Sequence, residues 1–261
     1  MRLDGNVALV TGAASGIGRA TALALAQSGC EVALCDRDLE GLAATARDVE
    51  ALGRAAFAEV LDVREPDAIA SWVTGTAAAL GRLDVIVNNA GGGFRADFVD
   101  TSATGEAALI AQNFTSVTST IRVAVPLMTD GGSIVNITSV EAHRAAPGFG
   151  IYAAMKAGIA NLTATLALEL SDRRIRVNCV APDVIPTPGV GMLEAATEAK
   201  AARGDAMQPW PDAGSADDVA AAVLWLASPM ARFVTGTTIH VDGGTSAAGG
   251  WRRRLDGTWA L

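Results

Sequence analysis

Val7-Ala8-Leu9-Val10-Thr11-Gly12-Ala13-Ala14-Ser15-Gly16-Ile17-Gly18 is the stretch that decides the fold. A short apolar run rich in valine breaks into a glycine-rich turn, and helical periodicity follows at once. Glycine lets the chain turn sharply and lets a ligand approach the backbone with no Cβ in the way. The unpaired N–H groups and dipole at the helix start then attract negative charge, so this junction has the makings of a phosphate cradle. Its Gly-x-x-x-Gly-x-Gly spacing differs from the Gly-x-Gly-x-x-Gly of other dinucleotide folds. Taken alone, an ordinary tight β–α turn would read the same way.

Outward from this junction the alternation repeats. Apolar runs at Val7–Val10, Val32–Cys35, Ala56–Leu61, Val85–Asn88, Ser133–Thr138, Arg176–Val180 and Thr238–Val241 read as strands buried on both faces. Helical patterns lie near 16–28, 39–52, 66–80, 102–128, 150–170 and 215–227, the last opened by a capping box at Ser215 and Asp218. The expected fold is α/β, a single Rossmann-type, doubly wound domain over 1–261. A mainly parallel seven-stranded sheet would carry helices on both faces. Residues 186–214, with Pro186, Pro188, Pro209 and Pro211, form a long irregular stretch that suits a substrate lid. A tail from 251 to 261, with Arg252, Arg253, Arg254 and two tryptophans, is open to reading as a subunit contact or as a solvated end.

Bulk composition excludes several classes. Half of the 261 residues are hydrophobic and 18% are charged, which suits a large core and not a disordered chain. The net charge of −8 repels nucleic acid and anionic membrane surfaces, so neither is an expected partner. Cys30, Cys35 and Cys179 read as small buried hydrophobes, and two histidines give no metal-ligand spacing. With no signal segment and no uninterrupted apolar run of spanning length, the expected location is cytoplasmic.

Asp36 closes the second strand, eighteen residues beyond Gly18. There a carboxylate accepts both hydroxyl hydrogens of an adenosine ribose. A 2′-phosphate would add repulsion on the order of 4 kcal/mol per charge pair at about 4 Å, so the expected cofactor is NAD. Arg37 next door is the complication, since a guanidinium can hold that phosphate. Tyr152-Ala-Ala-Met-Lys156 puts a phenol and an ammonium on one helical face. The ammonium is expected to lower the Tyr152 pKa towards neutrality, as acid/base work requires. Ser139, thirteen residues earlier, could hydrogen-bond a substrate oxygen.

Together these residues resemble the short-chain dehydrogenase/reductase family, from Val7 to Gly244. Asn88-Asn89-Ala90-Gly91 is similar to the family's Asn-Asn-Ala-Gly motif, Asp62-Val63 to its pair beside the adenine, and Val241-Asp242-Gly243-Gly244 to its C-terminal strand ending. The resemblance implies a cofactor site built from Gly12, Ser15, Gly16, Ile17, Gly18, Asp36, Arg37, Asp62, Val63, Asn89, Ala90 and Gly91. Tyr152, Lys156, Pro182, Ile185 and Thr187 would complete it. It further implies a catalytic set of Asn113, Ser139, Tyr152 and Lys156, with Asn113 holding a relay water. Asp183 stands where the family usually has glycine.

The implied function is an NAD-dependent oxidoreductase moving a hydride between nicotinamide and a secondary alcohol or ketone. Phe94, Phe149, Met192, Leu193, Met207 and Trp210 suggest a hydrophobic substrate, cyclic, steroid-like or acyl, and Glu141 and His143 could meet a polar group on it. The alternatives are a 3-oxoacyl thioester reductase using NAD(P)H and a non-catalytic dinucleotide-sensing protein. The family also implies a homotetramer paired through the alanine-rich helices around Asn113 and Tyr152.

Overall fold

The alternating apolar runs do form strands, and the computed structural model describes them within residues 2–187, 200–202 and 204–260. The strands are β1 (Val7–Thr11), β2 (Glu31–Asp36), β3 (Ala56–Val60), β4 (Val85–Asn88), β5 (Ser133–Ile137), β6 (Arg176–Pro182) and β7 (Thr238–Val241). They pair in the order β3-β2-β1-β4-β5-β6-β7, and every pairing is parallel. Strand order reverses between β1 and β4, which is where such sheets open a ligand crevice at their carboxyl ends.

Strand alternation divides the core in two. Ala8 and Val10 join Val32, Leu34, Val85 and Val87 beneath α1 (Gly16–Gln27), α2 (Leu39–Ala51) and α7 (Ala216–Ala227). Val7 and Leu9 join Ala33, Ile86, Ile134 and Val177 beneath α3 (Pro66–Leu80), α5 (Ser116–Ala124) and α6 (Gly150–Glu169). Each face is sealed by side chains with essentially no exposure, Leu25 and Leu226 on one and Trp72 and Ile159 on the other. Truncating Leu9 to alanine should cost about 2–5 kcal/mol, since neither crowded layer can collapse into the gap; a denaturant titration checks this. The three cysteines are buried and unbridged. The Ser215–Asp218 capping box opens α7 as the sequence indicates.

The helix expected near 102–128 runs without a gap from Ala103 to Leu127 but is not α throughout. α4 (Ala103–Ile110) passes into a π turn at Ala111–Thr115, then α5, then a 3₁₀ turn at Val125–Leu127. At the π turn the Asn113 amide donates to Gly92 O at 2.8 Å and to Leu109 O at 3.0 Å, anchoring the turn to the segment after β4. π turns of this kind recur at functional sites.

α6 is long and apolar enough to cross a bilayer by length and composition, a property that a search for uninterrupted apolar runs misses because Lys156 interrupts it. Lys156, Ile159, Thr163 and Ala167 of this helix are buried in the fold.

Of the expected lid, residues 188–199 and 203 lie outside the described residues, Met192 and Leu193 among them. The tail after Trp251 forms a two-stranded antiparallel ribbon, Arg252–Arg253 with Trp259–Ala260. It is fastened to the far end of the lid stretch: Ala206 N donates to Arg253 O at 2.8 Å, and Arg252 pairs with the buried Asp205 at 3.1 Å.

Candidate active site

The carboxyl ends of the strands frame one continuous cleft of about 1130 Å³. Its floor at the β1 end is the glycine turn. Gly12 and Gly16 have φ of +68° and +54°, and a Cβ on Gly16 would lie 2.9 Å from Thr187 Cγ2. Ser15 is the N-cap of α1 and makes no side-chain capping bond, so no side chain of its own covers the N–H groups of the first turn. Gly18 does not line the cleft but holds its floor, because a Cβ there would lie 2.0 Å from Gly12 O. Gly18→Ala should therefore cost about 1–3 kcal/mol through overpacking. A drop in Tm of about 2–4 °C per kcal/mol in a calorimetric scan would register it.

Hydrogen bonds join this turn to Asn88-Asn89-Ala90-Gly91. Thr11 Oγ1 accepts from the backbone N–H groups of Asn89 and Ala90, both at 3.0 Å, while Asn89 Nδ2 donates to Thr11 O and Gly12 O. Beneath, Asn88 Nδ2 donates to Asn136 Oδ1 at 2.8 Å, and Asn136 Nδ2 to Thr163 Oγ1 at 2.9 Å, so polar side chains clasp β4, β5 and α6. Asp36 sits at the tip of β2, where its carboxylate accepts from the backbone N–H of Ala14 and of Asp38. A carboxylate offers about four lone-pair sites, so capacity for a diol remains. Asp62 is gripped by Arg64, a cleft residue the sequence reading passed over, through a fork with a closest approach of 2.5 Å. The Arg64 hydrogen bonds hold the Asp62 carboxyl below the usual carboxylate range, and Arg37 adds to this.

At the other end of the cleft Ser139, Tyr152 and Lys156 converge. Ser139 lies two residues past β5 and caps a short 3₁₀ turn, its Oγ accepting from the Glu141 N–H at 3.2 Å. That leaves its own proton free to donate. Burial pushes the Tyr152 phenol up, the Ser139 hydrogen bond pulls it down, and the Glu141 charge pushes it up again. Lys156 Nζ lies 5.6 Å from the Tyr152 ring centroid and donates to Ile137 O at 2.9 Å. Burial lowers the Lys156 pKa from 10.5 to about 8. At Tyr152 burial and the Glu141 charge outweigh the Ser139 hydrogen bond, and the Lys156 ammonium is turned to the Ile137 carbonyl.

Asn113 is fully buried behind the cleft wall, and its side-chain amide is taken up by Gly92 and Leu109. A Cβ on Gly91 would lie 2.8 Å from Asn113 Oδ1 and 3.0 Å from Lys156 Nζ, so both groups press on that one glycine. His143 packs edge-on against His240, ring centroids 4.9 Å apart, and is not on the cleft wall, whereas Glu141 is. Phe94 and Phe149 line the cleft; Met207 and Trp210 do not. Asp183, in place of glycine, accepts from Thr245 Oγ1 at 2.5 Å and lies 3.8 Å from Arg144, which pairs with Glu141 at 2.8 Å. Position 183 needs no left-handed backbone, since the one non-glycine residue with positive φ among those described is Arg174.

A glycine-floored cradle at the strand switch point, opening onto a serine, a phenol and an ammonium, defines a nicotinamide-dependent oxidoreductase of small alcohols and ketones. A family model described as enoyl-(acyl carrier protein) reductase matches residues 12–246. The 3-oxoacyl-(acyl-carrier-protein) reductase of Thermotoga maritima is 41% identical over 247 residues, covering 94% of this chain and 99% of that protein. The 3β-hydroxysteroid dehydrogenase 1 of Eggerthella lenta is 38% identical over 254 residues, covering 96% and 97%. A crystal structure of a short-chain dehydrogenase from Burkholderia cenocepacia in complex with NADP superposes with a TM-score of 0.86 at 34% identity, covering 94% and 99%. The chain belongs to the short-chain dehydrogenase/reductase family.

Proposed function

We propose that this protein interconverts a hydrophobic secondary alcohol and its ketone with NAD(H). The observation that carries the reading is the meeting of Ser139, Tyr152 and Lys156 on the same cleft as the glycine cradle and Asp36. The cradle suits a dinucleotide: two glycines with positive φ and a helix start without a side-chain cap face the place where a pyrophosphate would lie. Gly12, Ser15, Gly16 and Ile17 would hold the phosphates. Asp36 would take the adenosine ribose, Asp62, Val63 and Ala90 would flank the adenine end, and Pro182, Ile185 and Thr187 would border the nicotinamide. When bound, the nicotinamide supplies the hydride acceptor or donor and, when oxidised, a positive charge.

The rest is this chain's own work. Ser139 donates its hydroxyl proton to the substrate oxygen and fixes its place. In oxidation Tyr152 Oη, as phenolate, takes the hydroxyl proton; in reduction the phenol returns it. Lys156 positions the nicotinamide ribose and adds positive charge near Tyr152. Asn113 keeps Gly91 and Gly92 in place through its amide, and any relay water would meet the backbone of the π turn. Phe94 and Phe149 give the substrate an apolar wall.

Asp36 repels a 2′-phosphate, which favours NAD over NADP. Asp36→Ala is expected to shift the NADP/NAD ratio of kcat/KM by about 10²-fold towards NADP, a loss of roughly 3 kcal/mol of repulsion. A screen of cyclic, steroid-like and acyl ketones and alcohols with NAD(H) and NADP(H) side by side tests both claims; equal rates with the two cofactors would overturn the NAD preference. One observation favours a second reading, a 3-oxoacyl thioester reductase using NADPH: Arg37 and Arg64 both border the adenosine end. The same screen separates the readings, and turnover of any substrate removes a purely sensing role. A homotetramer paired through the α4–α5 and α6 faces is also proposed. Sedimentation as a monomer at micromolar concentration would refute it.

A further inference from the structure

The cleft's substrate end has a charge inventory that does not cancel locally. Glu141 and Asp183 supply two carboxylates, yet both are engaged: Glu141 by Arg144 at 2.8 Å, Asp183 by Thr245 Oγ1 at 2.5 Å with Arg144 at 3.8 Å. Lys156 donates to Ile137 O. Arg95 remains. It lines the same cleft and has no hydrogen bond or ion pair among the described residues.

Its position is built. Ala96 N donates to Gly148 O at 2.9 Å, tying the strand exit to the turn before α6. A Cβ on Gly148 would lie 3.0 Å from Arg95 Cγ and 3.2 Å from Arg95 Nε, so the side chain lies directly across that glycine, whose φ is +82°. Any side chain at 148 would push it off. Two residues earlier, a Cβ on Gly93 would meet the root of the Tyr152 side chain, Cδ2 at 3.2 Å and Cβ and Cγ at 3.3 Å. Two extended residues span at most about 7 Å, which keeps the Arg95 backbone within about 10 Å of the Tyr152 ring.

Resting on the oxidoreductase reading above, we infer that Arg95 determines specificity for substrates that carry an anionic group, a carboxylate in the first instance, a few bonds from the carbinol carbon. A guanidinium pairs a carboxylate through two parallel hydrogen bonds, and the apolar wall of Phe94 and Phe149 takes the carbon frame between the two ends. Exposure of Arg95 screens the pair, so the preference is modest and falls with salt.

The test is calorimetric binding to the NAD-loaded protein of hexanoate, cyclohexanecarboxylate and 4-cyclohexylbutyrate, each against its primary amide. At low ionic strength at least one acid should bind about tenfold or more tightly than its amide, in the range of a hydrogen bond to a charged group. Arg95→Gln should bring that ratio to about one, and Arg95→Lys should retain part of it. Thermal unfolding of both variants checks that they remain folded. If no acid is preferred by the wild type, or if the preference survives in Arg95→Gln, the inference is overturned. Failure of the oxidoreductase reading shows separately, as no turnover of any alcohol with either cofactor, because the acid-to-amide ratio is read without turnover.

Discussion

Tyr152→Phe is expected to lower kcat by about 10²–10⁴-fold in both directions while leaving NAD(H) affinity within a few-fold. The substitution removes one oxygen and keeps the ring that packs against Gly93 and Phe149, so the cleft wall survives. Only the proton carrier is lost. Burial raises the Tyr152 pKa, which moves the pH dependence towards alkali, while its sign follows from the form each direction needs. Alcohol oxidation needs phenolate, so its kcat/KM should climb with pH through the neutral and alkaline range. Ketone reduction needs the phenol, so its rate should hold at neutral pH and fall in alkali. Both limbs should vanish in the phenylalanine variant. Near-normal turnover with ordinary cofactor binding would remove Tyr152 from the mechanism.

Lys156→Met should disable the enzyme and stabilise the protein. Burial brings the Lys156 pKa from 10.5 to about 8. Below pH 8 the folded and unfolded chains are both protonated there, and folding bears the full cost of burying an ammonium. Between about 8 and 10.5 the folded chain sheds the proton that the unfolded chain keeps, so stability rises with pH across that window. The span corresponds to on the order of 3 kcal/mol. Methionine matches the stem and carries no charge, but it leaves Ile137 O without its donor, which takes back about 1–2 kcal/mol. The net expectation is a gain of about 1–2 kcal/mol at pH 7 that turns into a loss of about 1–2 kcal/mol above pH 10.5, with kcat down at least about 10²-fold. Urea titrations of both proteins at pH 7 and pH 10.5 measure it. A variant less stable at pH 7 would mean that the ammonium's hydrogen bond outweighs its burial.

Both predictions hang on residues that the sequence exposed readily. Val7–Val10 running into Gly12, Gly16 and Gly18 could be read because valine-rich runs and glycine turns are local properties. Spacing alone put Tyr152 and Lys156 on one face, and α6 keeps them there. Other features were invisible for equally physical reasons. The π turn inside the helix expected over 102–128 lies where Asn113 bonds to Gly92, a partner twenty-one positions away. The part of Arg64 depends on where Asp62 points its carboxylate, and that of Arg95 on the bare α-carbon of Gly148. The ribbon at Arg252–Arg253 exists because Trp259–Ala260 folds back on it and the lid stretch supplies Asp205.

The doubly wound sheet, the glycine-rich turn after β1 and the shared helical face of Tyr152 and Lys156 were legible in the chain's own order of residues, because periodicity and backbone freedom act between near neighbours. Tertiary structure alone decided how those groups are charged and which of them remain free. Protonation follows from burial and from charges brought close by folding, such as Glu141 beside Tyr152 and the carbonyl of Ile137 beside Lys156, and no spacing along a chain encodes a dielectric.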